Sequence, residues 1–168
     1  MFLSLHQIFL MNIVRSATEA DIFMMVQLAE LSHREYSRMS SEFHIPVEAP
    51  FWEDRLRKSF KLQNYYALVC CPVDDSISIL GYCEFFIVET QVPYLKHRLR
   101  GVIDNIVVQQ AVRKQGIATS LIEVAEQYVR MKGATMIELS VLATNRNAIN
   151  LYANLGYKAQ NVVMSRVF

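Results

Sequence analysis

The sequence predicts an α/β (α+β) fold in one domain: an antiparallel meander joined to a parallel strand, with about four helices on the sheet. Three observations predict it. Apolar, β-branched or aromatic runs at residues 65–71, 77–89 and 103–108 follow one another with turn residues between them, the pattern of antiparallel neighbours. The third run passes through a polar loop with a single glycine, Gly116, directly into the most regular amphipathic helix of the chain. A further apolar run at 136–141 follows that helix, so it returns parallel to 103–108 by a right-handed crossover.

Composition sets the outer limits. A chain of 168 residues, 52% hydrophobic and 20% charged, can bury its own core and is neither disordered nor low in complexity. A net charge of +1 offers no basic field for nucleic acid. No apolar run approaches the ~20 residues of a membrane-spanning helix. Cys70, Cys71 and Cys83 show no C-x-x-C spacing and no histidine pair beside them. They read as buried thiols of a cytoplasmic protein, with no metal site. Residues 1–10 are apolar but lack a basic start and a small-residue cleavage site, so they do not form a signal peptide. Met11 precedes a natural first strand and is read as the working start, making 1–10 an upstream extension and 11–168 the domain. The alternative is a genuine N-terminal segment packed on the surface.

In order, residues 13–16 form a short strand. Thr18 then caps a helix, with Asp21 at the capping-box position. Ile22, Met25, Val26, Leu28, Ala29 and Leu31 recur at helical spacing to about Tyr36. Residues 37–50 are a loop. A second helix, 51–62, is apolar at Phe51, Trp52, Leu56 and Phe60 and presents Arg55, Arg57, Lys58 and Lys61 outward. Residues 65–71 and 77–89 are strands around a Pro-Asp turn, with Gly81 a bulge or a point of close approach. A turn contains Pro93, and Tyr94 to Arg100 form an irregular, basic approach to the strand at 103–108. Residues 116–132 are the best helix, ended by Gly133, and 145–155 a short one, ended by Gly156. Residues 157–168 read as strand, tight turn at Gln160-Asn161, and strand.

The segment from Val102 to Thr119 carries the first functional signal. A strand, a basic loop and a helix start in that order make an anion site: free N–H groups leave the first helical turn, and the helix dipole adds positive potential. Arg113 and Lys114 add charge, and Gly116 admits a ligand close to the backbone. The plainer alternative is an ordinary loop with a solvated Arg-Lys pair. A nucleotide P-loop is excluded, because Gly-Lys-Ser/Thr and a second glycine are missing.

Arg113-Lys114-Gln115-Gly116-Ile117-Ala118 resembles the Arg/Gln-x-x-Gly-x-Gly/Ala signature of the Gcn5-related N-acetyltransferase (GNAT) superfamily, and the preceding 103–108 resembles its central strand. Asn145-x-x-Ala148-Ile149-x-Leu151-Tyr152-x-x-Leu155-Gly156-Tyr157 matches the family's second signature helix. The resemblance implies the acyl-CoA N-acyltransferase fold, a mixed, mostly antiparallel sheet, with acetyl-CoA in a gap between two central parallel strands. It also implies direct acetyl transfer to a primary amine and frequent dimers. The local sequence departs from many relatives in having Gln110-Ala111 where they carry a proline.

Such transfer needs positioning of thioester and amine, a donor to the developing oxyanion, and a route for protons. The resemblance places the pyrophosphate on backbone N–H groups from Lys114 through Gln115, Gly116, Ile117 and Ala118 to Thr119, whose hydroxyl adds a donor. It places the pantetheine arm along Ile106, Val107 and Val108, with the Val108 N–H facing the thioester oxygen. Asp104, among apolar residues, is costly to bury unpaired. It stands where many relatives carry a glutamate base, and its shorter side chain favours relay through water. The competing reading pairs it with Arg98, Arg100 or a backbone N–H. Asn105, its neighbour, points to the opposite face unless a bulge intervenes. Tyr152 matches the tyrosine that protonates the leaving thiolate, against a purely packing role. Asn145 bonds the pantetheine or the loop after the strand, or caps its helix, and one residue could serve both. Glu35, Tyr36, Glu42, Phe43, His44, Phe51 and Trp52 are candidates for the acceptor side, and the acceptor stays open between a small-molecule amine and a peptide or protein amine. The rival from another class is a non-catalytic CoA-binding sensor, which would need neither Asp104 nor Tyr152.

Overall fold

The computed structural model of the chain describes residues 12–39, 48–90 and 98–166. Five strands form one sheet: β1 (Asn12–Ser16), β2 (Tyr65–Pro72), β3 (Gly81–Glu89), β4 (Leu99–Val108) and β5 (Met136–Leu139), adjacent in that order. Successive pairs from β1 to β4 are antiparallel, and β5 runs parallel to β4. Four helices are described: α1 (Ile22–Met39), α2 (Ala49–Ser59), α3 (Ile117–Met131) and α4 (Arg146–Asn154). The predicted α/β fold and its crossover are present. Readings that fall on residues 1–11, 40–47 (with Glu42, Phe43 and His44), 91–97 and 167–168 lie outside the described residues.

The two-residue period of β2 builds both core layers. Tyr65, Ala67, Val69 and Cys71 face α1 and α2, packing with Ile22, Met25 and Leu56. Leu68 and Cys70 face the other way and join Cys83, Phe85 and the stripe Ile117, Leu121, Ala125 and Val129 of α3. A strand covered on both faces is apolar throughout, which is why β2 shows no alternation. The three thiols are buried and free. Gly101 is small for packing reasons, since a Cβ there would meet the Val129 side chain at 2.6 Å.

Thr18 and Asp21 form the expected capping box. The Thr18 N–H donates to Asp21 Oδ2 at 2.7 Å, and Arg15 adds a two-pronged contact at 2.8 Å to each Asp21 oxygen. These contacts open a 3₁₀ turn (Glu19–Asp21) that runs into α1. The Arg15 guanidinium, opposed by burial and helped by Thr18, holds the Asp21 pKa below the usual carboxylate value. A depressed folded-state pKa stabilises the fold above the unfolded value, and that stabilisation is lost as pH falls through the folded one. Asp21→Asn should therefore cost about 1–3 kcal/mol at neutral pH. The gap to the parent should close in strong acid, as urea melts across pH would show.

β4 begins at Leu99, not residue 103, and β5 ends at Leu139, not residue 141; three further departures have a local cause. β3 begins at Gly81, not residue 77, because Asp75 Oδ1 accepts from the Ile77 and Ser78 N–H groups and holds that segment as a turn. α2 begins at Ala49, with Pro50 in its first turn, where a fixed φ and a missing N–H cost nothing. The predicted hairpin is absent from the described part of 157–168, for residues 157–166 contain no strand. Three residues before the Gln160-Asn161 turn are too few to hold an isolated hairpin closed.

Candidate active site

β4 and β5 pair only from Arg100–Met136 to Ile103–Leu139, although β4 continues to Val108. β5 itself ends at Leu139, so beyond Ile103 that edge of β4 has no strand partner among the described residues. On its other edge Ile106, Val107 and Val108 remain paired with Cys83, Tyr82 and Gly81. The Gln109 N–H donates to Leu80 O on the β3 side at 2.9 Å. A planar trans peptide then turns the Val108 carbonyl away from β3, and an extended residue carries its N–H on the same side as its carbonyl. Both polar groups of Val108 thus face the gap. Val107 and Ile117 are core residues at 5% and 2% exposure, so their side chains pack while their backbones shape the cleft. Gly81 is the close-approach point: a Cβ would lie 2.7 Å from Val107 O.

The loop after β4 ends in a left-handed corner. Lys114 has φ 62° and Gly116 φ 85°, a value that L side chains rarely adopt. Gly116 caps α3, and the first intrahelical bond is Ser120 N–H to Gly116 O at 2.9 Å. The N–H groups of Ile117, Ala118 and Thr119 therefore have no acceptor within the helix. Lys114 and Gln115 are exposed beside them. Arg113 does not point into this anion site. Its Nη2 lies 2.8 Å from Glu35 Oε2 on α1, and its Nε donates to Val108 O at 3.0 Å. Glu35, a candidate for the acceptor amine, is instead the partner of this arginine.

At the other end of the open edge, Asp104 sits in a β-bulge. Asn105 faces Glu84 and Ile103 faces Phe85, leaving Asp104 opposite no residue. The expected exception to opposite faces, a bulge, is present: Asn105 Nδ2 reaches Glu84 Oε2 at 3.0 Å and Asp104 Oδ2 at 3.4 Å. Asp104 pairs with Arg55 Nη2, not with Arg98, Arg100 or a backbone N–H. The Arg55 Nη1 holds Glu84 Oε1 at 3.0 Å, and the Tyr65 hydroxyl donates to the same oxygen at 2.7 Å. Glu84 is fully buried, while the Asp104 side chain is 44% exposed and open to water. Burial opposes the charge of Arg55, yet Glu84 and Asp104 outweigh it and hold its pKa above the usual value.

Sequence reasoning missed Arg55 and Glu84. Trp52, Arg55, Leu56 and Ser59 share one helical face at i, i+3, i+4 and i+7, the signal that Arg55 turns inward. Glu84 stands alone between Cys83 and Phe85, the same clue that singled out Asp104.

The third group comes from α4. Asn145 caps it, its Oδ1 accepting from the Ala148 N–H at 3.2 Å, and its side chain also bonds the Tyr36 hydroxyl of α1. Tyr152, half-buried, packs at 5.9 Å between ring centroids on Tyr157. Burial first, then the neighbouring Tyr36 and Cys83, push its pKa up to about 12.

The sequence model of the acetyltransferase (GNAT) family matches residues 25–157. The chain belongs to this family. A 61-residue segment of this GNAT chain, 36% of its length, is 38% identical to an uncharacterized N-acetyltransferase of Methanocaldococcus jannaschii and spans 27% of that relative. Its fold is similar to a crystal structure of a mutant of the BH1408 protein from Bacillus halodurans, with a TM-score of 0.85 and 24% identity over 93% of this chain and 99% of that one. The aminoglycoside N-acetyltransferase AAC(6')-Iy in complex with CoA is similar at a TM-score of 0.72 and 12% identity, over 93% and 94%. Of the two GNAT signatures, one forms the corner before α3 and the other forms α4 with its end at Gly156.

Proposed function

We propose that this GNAT chain transfers the acetyl group of acetyl-CoA directly to a primary amine. The observation that carries the reading is the open edge of β4 beyond Ile103, with the Val108 N–H and carbonyl facing it beside the free first turn of α3. These groups suit CoA: N–H donors at a dipole's positive end for phosphates, and strand-like amide partners for an amide-bearing arm. When bound, acetyl-CoA supplies an activated acetyl group and leaves as a thiol. The first turn of α3, with the corner at Lys114 to Gly116, holds the pyrophosphate. The Val108 N–H donates to the carbonyl oxygen as negative charge builds on it. Asp104, exposed and paired with Arg55, takes the amine proton through a water. The Tyr152 hydroxyl donates to the leaving sulfur. Three buried free thiols suit a reducing compartment, and we place the reaction in the cytoplasm.

The acceptor is a small-molecule amine or a peptide or protein amine. Acetyl-CoA mixed with a panel of both classes should release free thiol only with the true acceptors, and mass spectrometry should find the acceptor heavier by one acetyl group. CoA binding without acceptor-dependent thiol release from any amine would replace the enzyme with a sensor.

The Arg113 contacts predict a cofactor effect. Strand-like pairing of the pantetheine arm requires Arg113 to release Val108 O, and the pair with Glu35 resists that movement. A partly exposed ion pair contributes at most about 1 kcal/mol. Glu35→Gln should therefore tighten CoA binding up to about fivefold by calorimetry. Weaker binding would make Glu35 a positioning residue for the bound state.

A further inference from the structure

Stability alone does not explain the side chains gathered around Glu84. A buried ion pair is opposed by desolvation, and an apolar pair of similar volume often serves a core as well or better. Yet the fully buried Glu84 of β3 collects donors from three other elements. Its Oε1 accepts from Arg55 Nη1 of α2 at 3.0 Å and from the Tyr65 hydroxyl of β2 at 2.7 Å. Its Oε2 accepts from Arg55 Nη1 at 3.2 Å and from Asn105 Nδ2 of β4 at 3.0 Å. Two of these side chains reach on to Asp104. Arg55 meets Oδ2 through Nη2, and Asn105 Nδ2 stands 3.4 Å from the same oxygen. Oδ1 has no hydrogen-bond partner among the described residues, and the side chain is open to water.

Asp104 is the extra residue of a bulge, with no partner on β3, and its side chain ends at the surface. A short carboxylate there has several staggered orientations open to it, and bonds to one oxygen select among them. An arginine reaching in from solvent would hold it loosely, since exposed ion pairs contribute little. Arg55 differs because Glu84 fixes its other arm in the core, so the plane of its fork is set before Asp104 bonds. We propose that Arg55 and Glu84 are positioning residues for the acetyl transfer: Glu84 fixes the Arg55 fork, and the fork holds Asp104 by Oδ2 so that Oδ1 receives the proton. The inference rests on the acetyl-transfer reading of this site. As the amine nitrogen bonds the acetyl carbon, its proton passes to a water, and a proton of that water passes to Oδ1. Neither Arg55 nor Glu84 touches the reacting atoms.

Two measurements on the full chain test this. Isotope-edited NMR of the Arg55 guanidinium, on the chain alone, should resolve the two Nη2 hydrogens, because the bond to Asp104 stops rotation about Cζ–Nη2. Asp104→Ala should merge them. Merged signals in the parent, or signals that stay resolved in Asp104→Ala, overturn the proposal. The second measurement is a cycle of variants, read as acceptor-dependent thiol release from acetyl-CoA with the amine that the parent turns over fastest. Arg55→Met with Glu84→Gln removes both charges together. It should lower kcat about tenfold to a hundredfold, as a misplaced reacting group does, and leave KM for acetyl-CoA within a few-fold. In the Asp104→Ala background the same two changes should lower kcat by less than about twofold further. Arg55→Lys keeps a charge for Glu84 but lacks the second arm, so it should show the same loss and replaces the double variant if that fails to fold. A parent-like kcat in these variants, or an equal loss in both backgrounds, overturns the positioning role alone. Asp104→Ala at the parent rate overturns the base assignment, and a parent without acceptor-dependent thiol release overturns the acetyl-transfer reading; either takes this proposal with it.

Discussion

Tyr152→Phe lowers kcat by about 10²-fold or more and leaves the affinity for CoA within a few-fold. A positioned general acid contributes about 10²–10⁴ to a rate, or at the lower end about 2.7 kcal/mol of barrier. The ring of Tyr152 packs on Tyr157, and phenylalanine keeps that contact, so the cleft retains its shape. Only the hydroxyl is lost. Burial, with Tyr36 and Cys83 nearby, pushes the Tyr152 pKa up to about 12. A raised pKa keeps the phenol protonated through neutral and mildly alkaline pH, so the donor is present throughout that range. The loss should accordingly be the same at each pH there, with no new alkaline limb. Steady-state kcat and KM across pH, with CoA affinity by calorimetry, measure it. Unchanged turnover would return Tyr152 to a packing role and remove the acid from the mechanism.

Arg55→Met destabilises the fold by about 3–5 kcal/mol, because it strands the fully buried Glu84 carboxylate without its cation. The Tyr65 hydroxyl and the Asn105 amide remain as hydrogen-bond donors to Glu84 but carry no charge. In a chain of this size the melting temperature should fall by about 10 °C or more. Adding Glu84→Gln to Arg55→Met removes the stranded charge and should recover much of the loss. Asp104→Asn touches the same arginine from its half-exposed side and should cost under about 1 kcal/mol. The expected pattern is a large loss, a partial rescue and a small effect. Equal melting temperatures for Arg55→Met and the parent would show that the pair does not hold α2 to the sheet.

Asp104 shows where reading the chain alone stops. A carboxylate between apolar residues could be noticed as unusual, but its partner, 49 positions away on another element, could not be named. Arg55 looked like surface charge because it stands among Arg57, Lys58 and Lys61 on a short helix; only the folded chain brings it to Glu84 of β3. The bulge at Asp104 is a one-residue mismatch between two strands, so it exists only in their pairing. Arg113 teaches the converse. Its signature position suggested phosphate, and in the folded chain Glu35 and Val108 O take its hydrogen bonds.

Local chemistry was enough for the elements themselves. The capping box at Thr18 and Asp21, the apolar stripe of α3, the corner at Gly116 and the cap at Asn145 all depend on neighbours within a few residues, and all are present. The strand–loop–helix–strand order was enough for the parallel crossover, because right-handed connections leave one arrangement. The site was not decided at that range. The edge of β4 opens because β5 stops pairing after Leu139, and no residue of β4 encodes where its neighbour ends. Long-range register, set by packing α1 and α2 on one face and α3 on the other, placed the open edge of β4, with Val108 and Asp104 along it, beside the first turn of α3.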